Sequence, residues 1–156
     1  MKTLVTGANG QLGHDILVNL AARGLDAIPA DIAEFDITQA AETERFIVAH
    51  QPDAVIHCAA YTAVDKAEDD AELCRLINVT GTENIARACQ KINAKMIYIS
   101  TDYVFPGTGD TLYETNARTA PLSIYGMTKL DGEQAVKQLL TRYFIVRTSW
   151  VFGKNG

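Results

Sequence analysis

The sequence is poor in cysteine: its 156 residues contain three, and no two of them form a CxxC pair. Cys58, Cys74 and Cys89 lie far apart and are odd in number, so we expect reduced, packed thiols rather than a disulfide framework or a zinc site. Histidines are also scarce, and neither His14 nor His57 has a second ligand at helical or strand spacing. No metal site is predicted from these residues.

The sequence also lacks basic clusters and long apolar runs. Acidic residues outnumber basic residues by 19 to 14, which gives a net charge of -5 and leaves no surface suited to a phosphate backbone. No apolar run is long enough to cross a bilayer, and the first strand-like run follows the initiator methionine directly, without a signal sequence. We expect a cytoplasmic protein with no nucleic-acid or membrane partner that binds a small soluble ligand.

Hydrophobic residues make up 47% of the chain, enough for one domain of this length to bury a core without disulfides or metals. Short β-branched runs alternate with longer helical patterns. The predicted strands span residues 2–6, 25–30, 54–58, 95–100 and 143–148. Such alternation is typical of a parallel sheet with right-handed crossovers. We therefore predict an α/β fold, a doubly wound (Rossmann) parallel sheet in the strand order 3-2-1-4-5.

Two connections between the predicted strands differ in character. Residues 63–91 carry apolar side chains at helical spacing and are predicted to form one or two helices. Residues 101–123 contain two prolines and two glycines and show little periodicity. Compact domains rarely keep such a long irregular loop unless it has a function. We therefore expect the second connection to contribute to the functional site.

A glycine-rich segment joins the first strand to the following helix. Gly7, Gly10 and Gly13 have GxxGxxG spacing and open an amphipathic helix. Gly7 permits a tight turn, Gly10 lets the backbone approach a pyrophosphate, and Gly13 lets the helix pack close to the strand. The N–H groups at the start of the helix, at Gln11 and Leu12, would face the phosphates. The pattern predicts a dinucleotide site rather than a glycine-rich turn without a ligand.

Acidic residues follow the second predicted strand. Asp31 ends that strand, where its carboxylate can accept hydrogen bonds from the adenosine ribose and would repel a 2'-phosphate, which favours NADH. An ordinary turn or capping role for Asp31 stays open. Asp36 and Ile37 could flank the adenine, or Asp36 and Thr38 could instead cap the next helix. After the third strand, residues 59–61 begin with small side chains that suit close passage of a cofactor ribose.

A Tyr-x-x-x-Lys pattern indicates reduction chemistry. Tyr125 and Lys129 are four residues apart and share one helix face if Ser123 starts a helix. Hydride transfer to a ketone leaves an alkoxide that needs a proton, and a nearby ammonium would ease ionisation of the tyrosine by lowering its pKa. Thr101, just past the fourth strand, could orient the substrate. In the predicted order the first and fourth strands are neighbours, so Thr101 and the glycine loop would flank one crevice.

These motifs together resemble those of the extended short-chain dehydrogenase/reductases over nearly the whole chain. The segments concerned are TGANGQLG at 6–13, the turn Ala59, Ala60, Tyr61 and Thr62, STDYVF at 100–105, YGMTK at 125–129 and RTSW at 147–150. Within this family the chain is most similar to the dTDP-4-dehydrorhamnose reductases. The resemblance implies that the turn 59–62 contacts the cofactor.

The resemblance also implies roles for the catalytic and substrate-binding residues. Thr101 would hydrogen-bond the sugar carbonyl, and Tyr125 would donate the proton. Lys129 would hold the nicotinamide ribose and lower the pKa of the tyrosine. Asp102 and Trp150 would contact the sugar.

The implied reaction is hydride transfer from NADH or NADPH to C4 of dTDP-4-dehydrorhamnose, giving dTDP-L-rhamnose for cell-surface polysaccharide. The resemblance alone implies Mg²⁺ and a homodimer. Members of the family are longer, and their C-terminal part supplies most of the sugar pocket. We therefore expect residues 1–156 to form the dinucleotide-binding and catalytic domain, without the C-terminal substrate-binding part.

Other functions on the same fold stay open. Related sugar-nucleotide dehydratases have an Asp-Glu pair after the threonine, where this chain has Asp102 and Tyr103, so elimination is disfavoured. The alternatives are another nucleotide-sugar reductase or epimerase of the family, or a non-catalytic NAD(P)-binding regulatory subunit. Intact Thr101, Tyr125 and Lys129 argue against the regulatory subunit.

Overall fold

The computed structural model describes residues 1–110 and 112–153, in which five parallel strands alternate with helices. The strands are β1 (Lys2–Thr6), β2 (Asp26–Ala30), β3 (Ala54–His57), β4 (Lys95–Thr101) and β5 (Tyr143–Thr148). The helices are α1 (Gln11–Ala22), α2 (Ala40–His50), α3 (Ala71–Arg75), α4 (Thr82–Ile92) and α5 (Ile124–Leu139). The predicted doubly wound fold is confirmed, and the predicted strands agree with the observed ones to within one residue.

The predicted strand order is wrong. The sheet has the order β2-β1-β3-β4-β5, so β3 lies between β1 and β4, and β2 lies at an edge. The predicted order would have placed β2 inside the sheet, where Pro29 could not donate a ladder hydrogen bond. Pro29 is therefore the sequence feature that assigns β2 to an edge. The order reverses between β1 and β3, which is where ligands bind in sheets of this type.

The core lies between the sheet and a layer formed by α2, α4 and α5. Leu4, Val55 and Met96 are in register across β1, β3 and β4 and are fully buried. Ile85 of α4 and Val136 of α5 cover them and are equally buried. The helix α1 packs against β1 and β2. This core holds the carboxyl ends of β1, β3 and β4 in fixed positions.

The predicted helical stretch 63–91 is confirmed for most of its length. A 3₁₀ turn at Lys66–Glu68 precedes α3, which continues through a π-helical segment, Leu76–Gly81, into α4. A Cβ at Gly81 would lie 2.8 Å from Cδ1 of Ile37, so a larger residue in the π-helical segment would require the Ile37 side chain to move. Within the described residues, no helix is sufficiently long and apolar to cross a membrane.

The helix α5 begins where it was predicted. Ser123 is its N-cap, and the serine Oγ accepts a hydrogen bond of 3.1 Å from the backbone N–H of Gly126. Farther along α5, Gly132 lets the helix approach β4 closely. A Cβ at this position would collide with the Tyr98 hydroxyl and would lie 2.8 Å from the carbonyl oxygen of Asn78.

We expect Gly132→Ala to destabilise the protein by about 1–3 kcal/mol, because the added methyl group has no free space and must push α5 off the sheet. Urea unfolding followed by circular dichroism measures this change. The control is Gln134→Ala on the exposed side of the same helix, which should change the free energy of unfolding by less than about 0.5 kcal/mol. Equal stability of Gly132→Ala and the unmodified protein would contradict the proposed close approach.

Candidate active site

A cavity of about 980 Å³ opens at the carboxyl ends of the parallel strands. It brings together nearly all of the predicted site residues. Those in its wall are Gly7, Gly10, Gln11, Leu12, Gly13, Asp31, Asp36, Ile37, Ala59, Ala60, Thr62, Thr101, Asp102, Tyr125, Lys129 and Trp150. Thr101 and the glycine loop share this cavity although β3 separates β4 from β1. The predicted crevice is therefore present, but the predicted neighbouring of β1 and β4 is wrong.

The glycine loop has the conformation that its spacing predicts. Gly7 has a φ of 67°, in the left-handed region, and a Cβ there would lie 2.7 Å from the backbone nitrogen of Ala59. A Cβ at Gly13 would collide with the carbonyl oxygen of Gly7. Gly10 is the N-cap of α1 and has no side chain to satisfy the first N–H groups of the helix. Those N–H groups are available to an anionic ligand in the cavity.

The hydrogen bonds of Asp31 agree with the turn role that was left open for it, and its place in the cavity wall is compatible with the predicted ribose contact. One carboxylate oxygen accepts a 2.9 Å hydrogen bond from the backbone N–H of Asn9 in the glycine loop, and the other accepts one from Ile32. Its own backbone N–H donates to the carboxylate of Glu34 at 2.8 Å. Asp31 therefore holds the glycine loop in place while lining the cavity.

Asp36 stabilises a turn rather than the start of α2. Its Oδ1 accepts hydrogen bonds of 2.8 Å from both the backbone N–H and the hydroxyl of Thr38. The N-cap of α2 is Gln39, which makes no side-chain cap hydrogen bond, so the alternative in which Asp36 and Thr38 cap the helix is wrong. Asp36 and Ile37 both line the cavity, as the cofactor interpretation requires.

Tyr61 is the one predicted site residue that does not line the cavity. Its backbone N–H donates to Oδ1 of Asn78 at 2.8 Å, its carbonyl accepts from Nδ2 of Asn78, and its hydroxyl donates to Asp70 at 3.1 Å. The same amide nitrogen of Asn78 donates to the hydroxyl of Thr128, next to Lys129. Asn78 thus ties the turn after β3 to α5.

Asn78 was not predicted to belong to the site. It is 1% exposed and lies in the π-helical segment, one heptad before the buried Ile85. A polar residue in line with the apolar stripe of a helix is the signal that could have identified it. Its contacts to Tyr61 and Thr128 depend on tertiary structure and could not be read from the sequence.

The side chains with predicted catalytic roles come from β4 and α5. The Thr101 hydroxyl accepts from the backbone N–H of Tyr103 at 3.2 Å and donates to Asp102 at 3.1 Å. The ring of Tyr125 meets that of Tyr103 edge-on, with centroids 5.7 Å apart. Lys129 is only 3% exposed, and its ammonium lies 4.2 Å from the centroid of the Tyr98 ring.

Burial has the largest effect on the pKa values of both Tyr125 and Lys129 on α5. Burial raises the pKa of Tyr125, and the Thr101 hydroxyl offsets part of that effect by hydrogen bonding. Burial lowers the pKa of Lys129 to about 7, against the opposing influence of Cys58 and Glu133. The predicted lowering of the tyrosine pKa is not found in this structure: burial is the largest influence on the pKa of Tyr125, and the neighbouring Asp102 raises it further. A tyrosine with a raised pKa stays protonated at neutral pH and can act as a proton donor.

The predicted sugar contacts lie near the mouth of the cavity. Trp150 is 92% exposed and has a φ of 52°, in the left-handed region. Asp102 is exposed and accepts the hydrogen bond from Thr101. In the described ranges, no three His, Cys, Asp or Glu side chains are grouped so that they could hold a metal ion.

A glycine loop at the β1/β3 switch point and a Tyr-x-x-x-Lys helix beside Thr101 define the short-chain dehydrogenase/reductase class. The family model described as the RmlD substrate binding domain matches residues 1–156, and the chain belongs to this family. It is 40% identical to dTDP-4-dehydrorhamnose reductase of Streptomyces griseus over 156 residues, covering 99% of this chain and 51% of that protein.

Solved structures agree with this assignment. A dTDP-4-dehydrorhamnose reductase of Clostridium acetobutylicum superimposes with a TM-score of 0.96 at 44% identity, covering 99% of this chain and 55% of the other. The Bacillus anthracis enzyme, in complex with NADP, also gives a TM-score of 0.96 at 46% identity, covering 100% and 56%. The chain spans about half the length of these relatives.

We expect Lys129→Met to stabilise the protein at pH 7, by roughly 1–3 kcal/mol, because it removes a buried ammonium. The pKa of Lys129 is about 7 in the folded protein and near 10.5 in the unfolded chain. Between these values the unfolded chain binds more protons, so this lysine makes stability rise with pH, and the gain from Lys129→Met should shrink towards pH 10.

Urea unfolding at pH 7 and pH 10 measures both quantities. Lys66→Met, at an exposed position outside the cavity wall, is the control and should follow the unmodified protein at both pH values. A Lys129→Met variant that is less stable at pH 7 would contradict the expected burial cost.

Proposed function

We propose that this chain is the dinucleotide-binding and catalytic domain of an NAD(P)H-dependent reductase acting on dTDP-4-dehydrorhamnose. The product would be dTDP-L-rhamnose, a precursor of cell-surface polysaccharide. The observation that supports this proposal is the shared cavity, in which a glycine loop at a helix N-terminus faces Thr101, Tyr125 and Lys129. The proposed substrate is taken from the relatives, which are dTDP-4-dehydrorhamnose reductases.

The residues of the cavity fit a dinucleotide. Gly7 and Gly13 leave room that a Cβ would fill, and the uncapped start of α1 offers N–H groups to a pyrophosphate. The side-chain nitrogen of Gln11 is buried beside this helix start without a hydrogen-bond partner among the described residues. Small residues of the turn, Ala59 and Ala60, line the adjoining wall. When bound, the reduced nicotinamide supplies the hydride.

Asp31 bears on the choice between NADH and NADPH. A carboxylate beside the adenosine ribose repels a 2'-phosphate, which favours NADH. Two backbone N–H groups, from Asn9 and Ile32, donate to this carboxylate and compensate part of its charge. The Bacillus anthracis relative is in complex with NADP. We therefore propose that the protein accepts both cofactors and prefers NADH.

In the proposed reaction, residues of β4 and α5 bind the carbonyl and supply the proton. The Thr101 hydroxyl turns from Asp102 towards the C4 carbonyl oxygen and donates a hydrogen bond to it. The proton moves from Oη of Tyr125 to the same oxygen, which becomes the hydroxyl of the product. Lys129 stabilises the tyrosinate that forms, and its burial excludes water from the reacting groups.

The sugar nucleotide is proposed to bind partly outside this chain. Asp102 and Trp150 offer the sugar a carboxylate and an exposed ring at the cavity mouth. We place the remaining pocket in the half of the relatives that this chain does not span, so residues 1–156 alone should reduce the sugar slowly. Free cysteines throughout the described residues support action in the cytoplasm. Mg²⁺ and a homodimer stay implications of the resemblance.

We expect Gly13→Ala to weaken binding of NADH and NADPH by roughly tenfold or more, equivalent to about 1.4 kcal/mol, because the methyl group pushes the start of α1 away from the loop. Nucleotide fluorescence measures the affinity. Val18→Ala, on the exposed side of the same helix, is the control and should bind as the unmodified protein does. Unchanged affinity in a folded Gly13→Ala variant would refute the placement of the pyrophosphate.

We expect Tyr125→Phe to lower the rate of cofactor oxidation with dTDP-4-dehydrorhamnose by about 100-fold or more, since the proton donor is lost. Absorbance at the reduced-nicotinamide band, with NADH and then NADPH and the whole gene product, gives the rate and ranks the cofactors. Dinucleotide affinity should stay within about twofold, and Tyr143→Phe on β5 should leave the rate unchanged. Tight cofactor binding without oxidation by the unmodified protein would instead favour a non-catalytic binding role.

A further inference from the structure

Glu133 is a fully buried carboxylate one helical turn beyond Lys129 on α5. Its two oxygens accept hydrogen bonds from the Arg147 guanidinium, at 2.8 Å from Nε and 2.6 Å from Nη2. The Ser100 hydroxyl donates to it at 2.7 Å, and the Lys137 ammonium lies 3.6 Å away. Burial alone would raise the pKa of Glu133, but the hydrogen bonds from Arg147 and Ser100 hold it below the usual value. The group is therefore a buried anion.

The partners of Glu133 come from the two strands beside the reacting groups. Ser100 directly precedes Thr101 on β4, and Arg147 directly precedes Thr148 on β5. Ser100 and Arg147 are opposite each other in the sheet, as are Thr101 and Thr148. The Glu133 carboxylate thus connects α5 to β4 and β5, through the residues that directly precede Thr101 and Thr148.

Arg147 extends this connection to the loop that follows Thr101. Its Nη1 donates to the carbonyl of Thr115 at 3.3 Å, and its guanidinium lies 4.9 Å from the centroid of the Phe105 ring. Phe105 in turn stacks on Tyr113 with centroids 4.5 Å apart. The ion pair therefore links the helix, both strands and the loop at one buried point.

Glu133 is also part of the electrostatic surroundings of Lys129. The Lys129 ammonium lies 4.2 Å from the centroid of the Tyr98 ring of β4. Cys58 after β3, Glu133 of α5 and Cys74 of α3 act electrostatically to raise the pKa of Lys129, and His57 of β3 interacts electrostatically with the same ammonium. Glu133 is the one carboxylate among the groups that raise the pKa of Lys129. Tyr125, Lys129 and Glu133 follow one another at intervals of four residues and share one face of α5.

A purely structural reading of Glu133 is weak on energetic grounds. A buried ion pair contributes little net stability compared with apolar residues of the same size, because the desolvation of both charges offsets their attraction. The Gly132 and Val136 contacts already pack α5 against the sheet. The geometry of Glu133 instead fits a requirement for accurate placement of the reacting groups.

We propose, on the basis of the reductase function above, that Glu133 is a positioning residue: through Ser100 it fixes Thr101 relative to Tyr125, and its charge stabilises the Lys129 ammonium. Glu133 does not line the cavity, so its proposed effect is exerted through other residues. Arg147 keeps the carboxylate ionised and oriented.

The positioning part is tested with Ser100→Ala and Glu133→Gln in the whole gene product. Each should lower kcat by about tenfold to a hundredfold while the dinucleotide Kd stays within about twofold, since misplacement of reacting groups affects the chemical step. The double variant should be no worse than the poorer single variant, because both changes break one connection. Glu133→Gln leaves Arg147 without its charge partner and lowers stability, whereas Ser100→Ala keeps the ion pair.

The matched control is Asp131→Asn on the same helix, which removes the exposed ion pair with Arg75 and should leave kcat unchanged. An unchanged kcat in a folded Ser100→Ala variant would overturn the positioning role.

The electrostatic part is tested without turnover. NMR of isotope-labelled lysine follows the titration of Lys129 in the unmodified protein, in Glu133→Gln and in Asp131→Asn. Loss of the anion should weaken the proton affinity of Lys129 by about threefold or more, and Asp131→Asn should not change it. If the titration midpoint of Lys129 does not shift in Glu133→Gln, the electrostatic part of the proposal is overturned, whatever the substrate of the protein. A shifted midpoint in a protein that oxidises no cofactor with the sugar supports it and shows that the proposed substrate is wrong.

Discussion

An ammonium group is buried at the centre of the site, and much of the surrounding structure serves to accommodate it. Burial disfavours the charged form of Lys129, and the Tyr98 ring and the buried Glu133 carboxylate compensate for part of the lost hydration. The carboxylate is itself held by Arg147 and Ser100. Electrostatic contacts as well as apolar packing therefore join the sheet, the helix and the loop, and the residues proposed to be catalytic lie beside these contacts.

Most of the fold followed from local sequence patterns. Alternating β-branched and helical segments identified the five strands, and GxxGxxG after β1 identified the ligand-binding loop. The order of the strands did not follow, since local patterns do not specify which strands are neighbours in the sheet. Pro29 distinguishes the observed strand order from the predicted one. It has no N–H group, so its strand fits at an edge of the sheet and not inside it.

The residues of the site also differ in whether local sequence spacing or long-range contacts determine their roles. Tyr125 and Lys129 could be predicted because their chemistry depends on spacing along one helix. Asn78 and Glu133 could not, because their partners are up to 50 residues away and are brought close by the fold alone. The hydrogen bonds of Tyr61 to Asn78 and Asp70 also depend on the fold, and Tyr61 lies outside the cavity that its neighbours line.

The position of Pro29 also affects how the sheet can associate with other chains. The carbonyl of Ala30 accepts a hydrogen bond from Ala8 on the inner side, so the neighbouring Pro29 presents its backbone to the outer side of β2. The outer row of donors is therefore interrupted, and an incoming strand would meet a nitrogen without a proton. Among the described strands, β5 lies at the other edge of the sheet, and its residues, Tyr143–Thr148, include no proline. The two edge strands therefore differ in the backbone donors that they can offer to another strand.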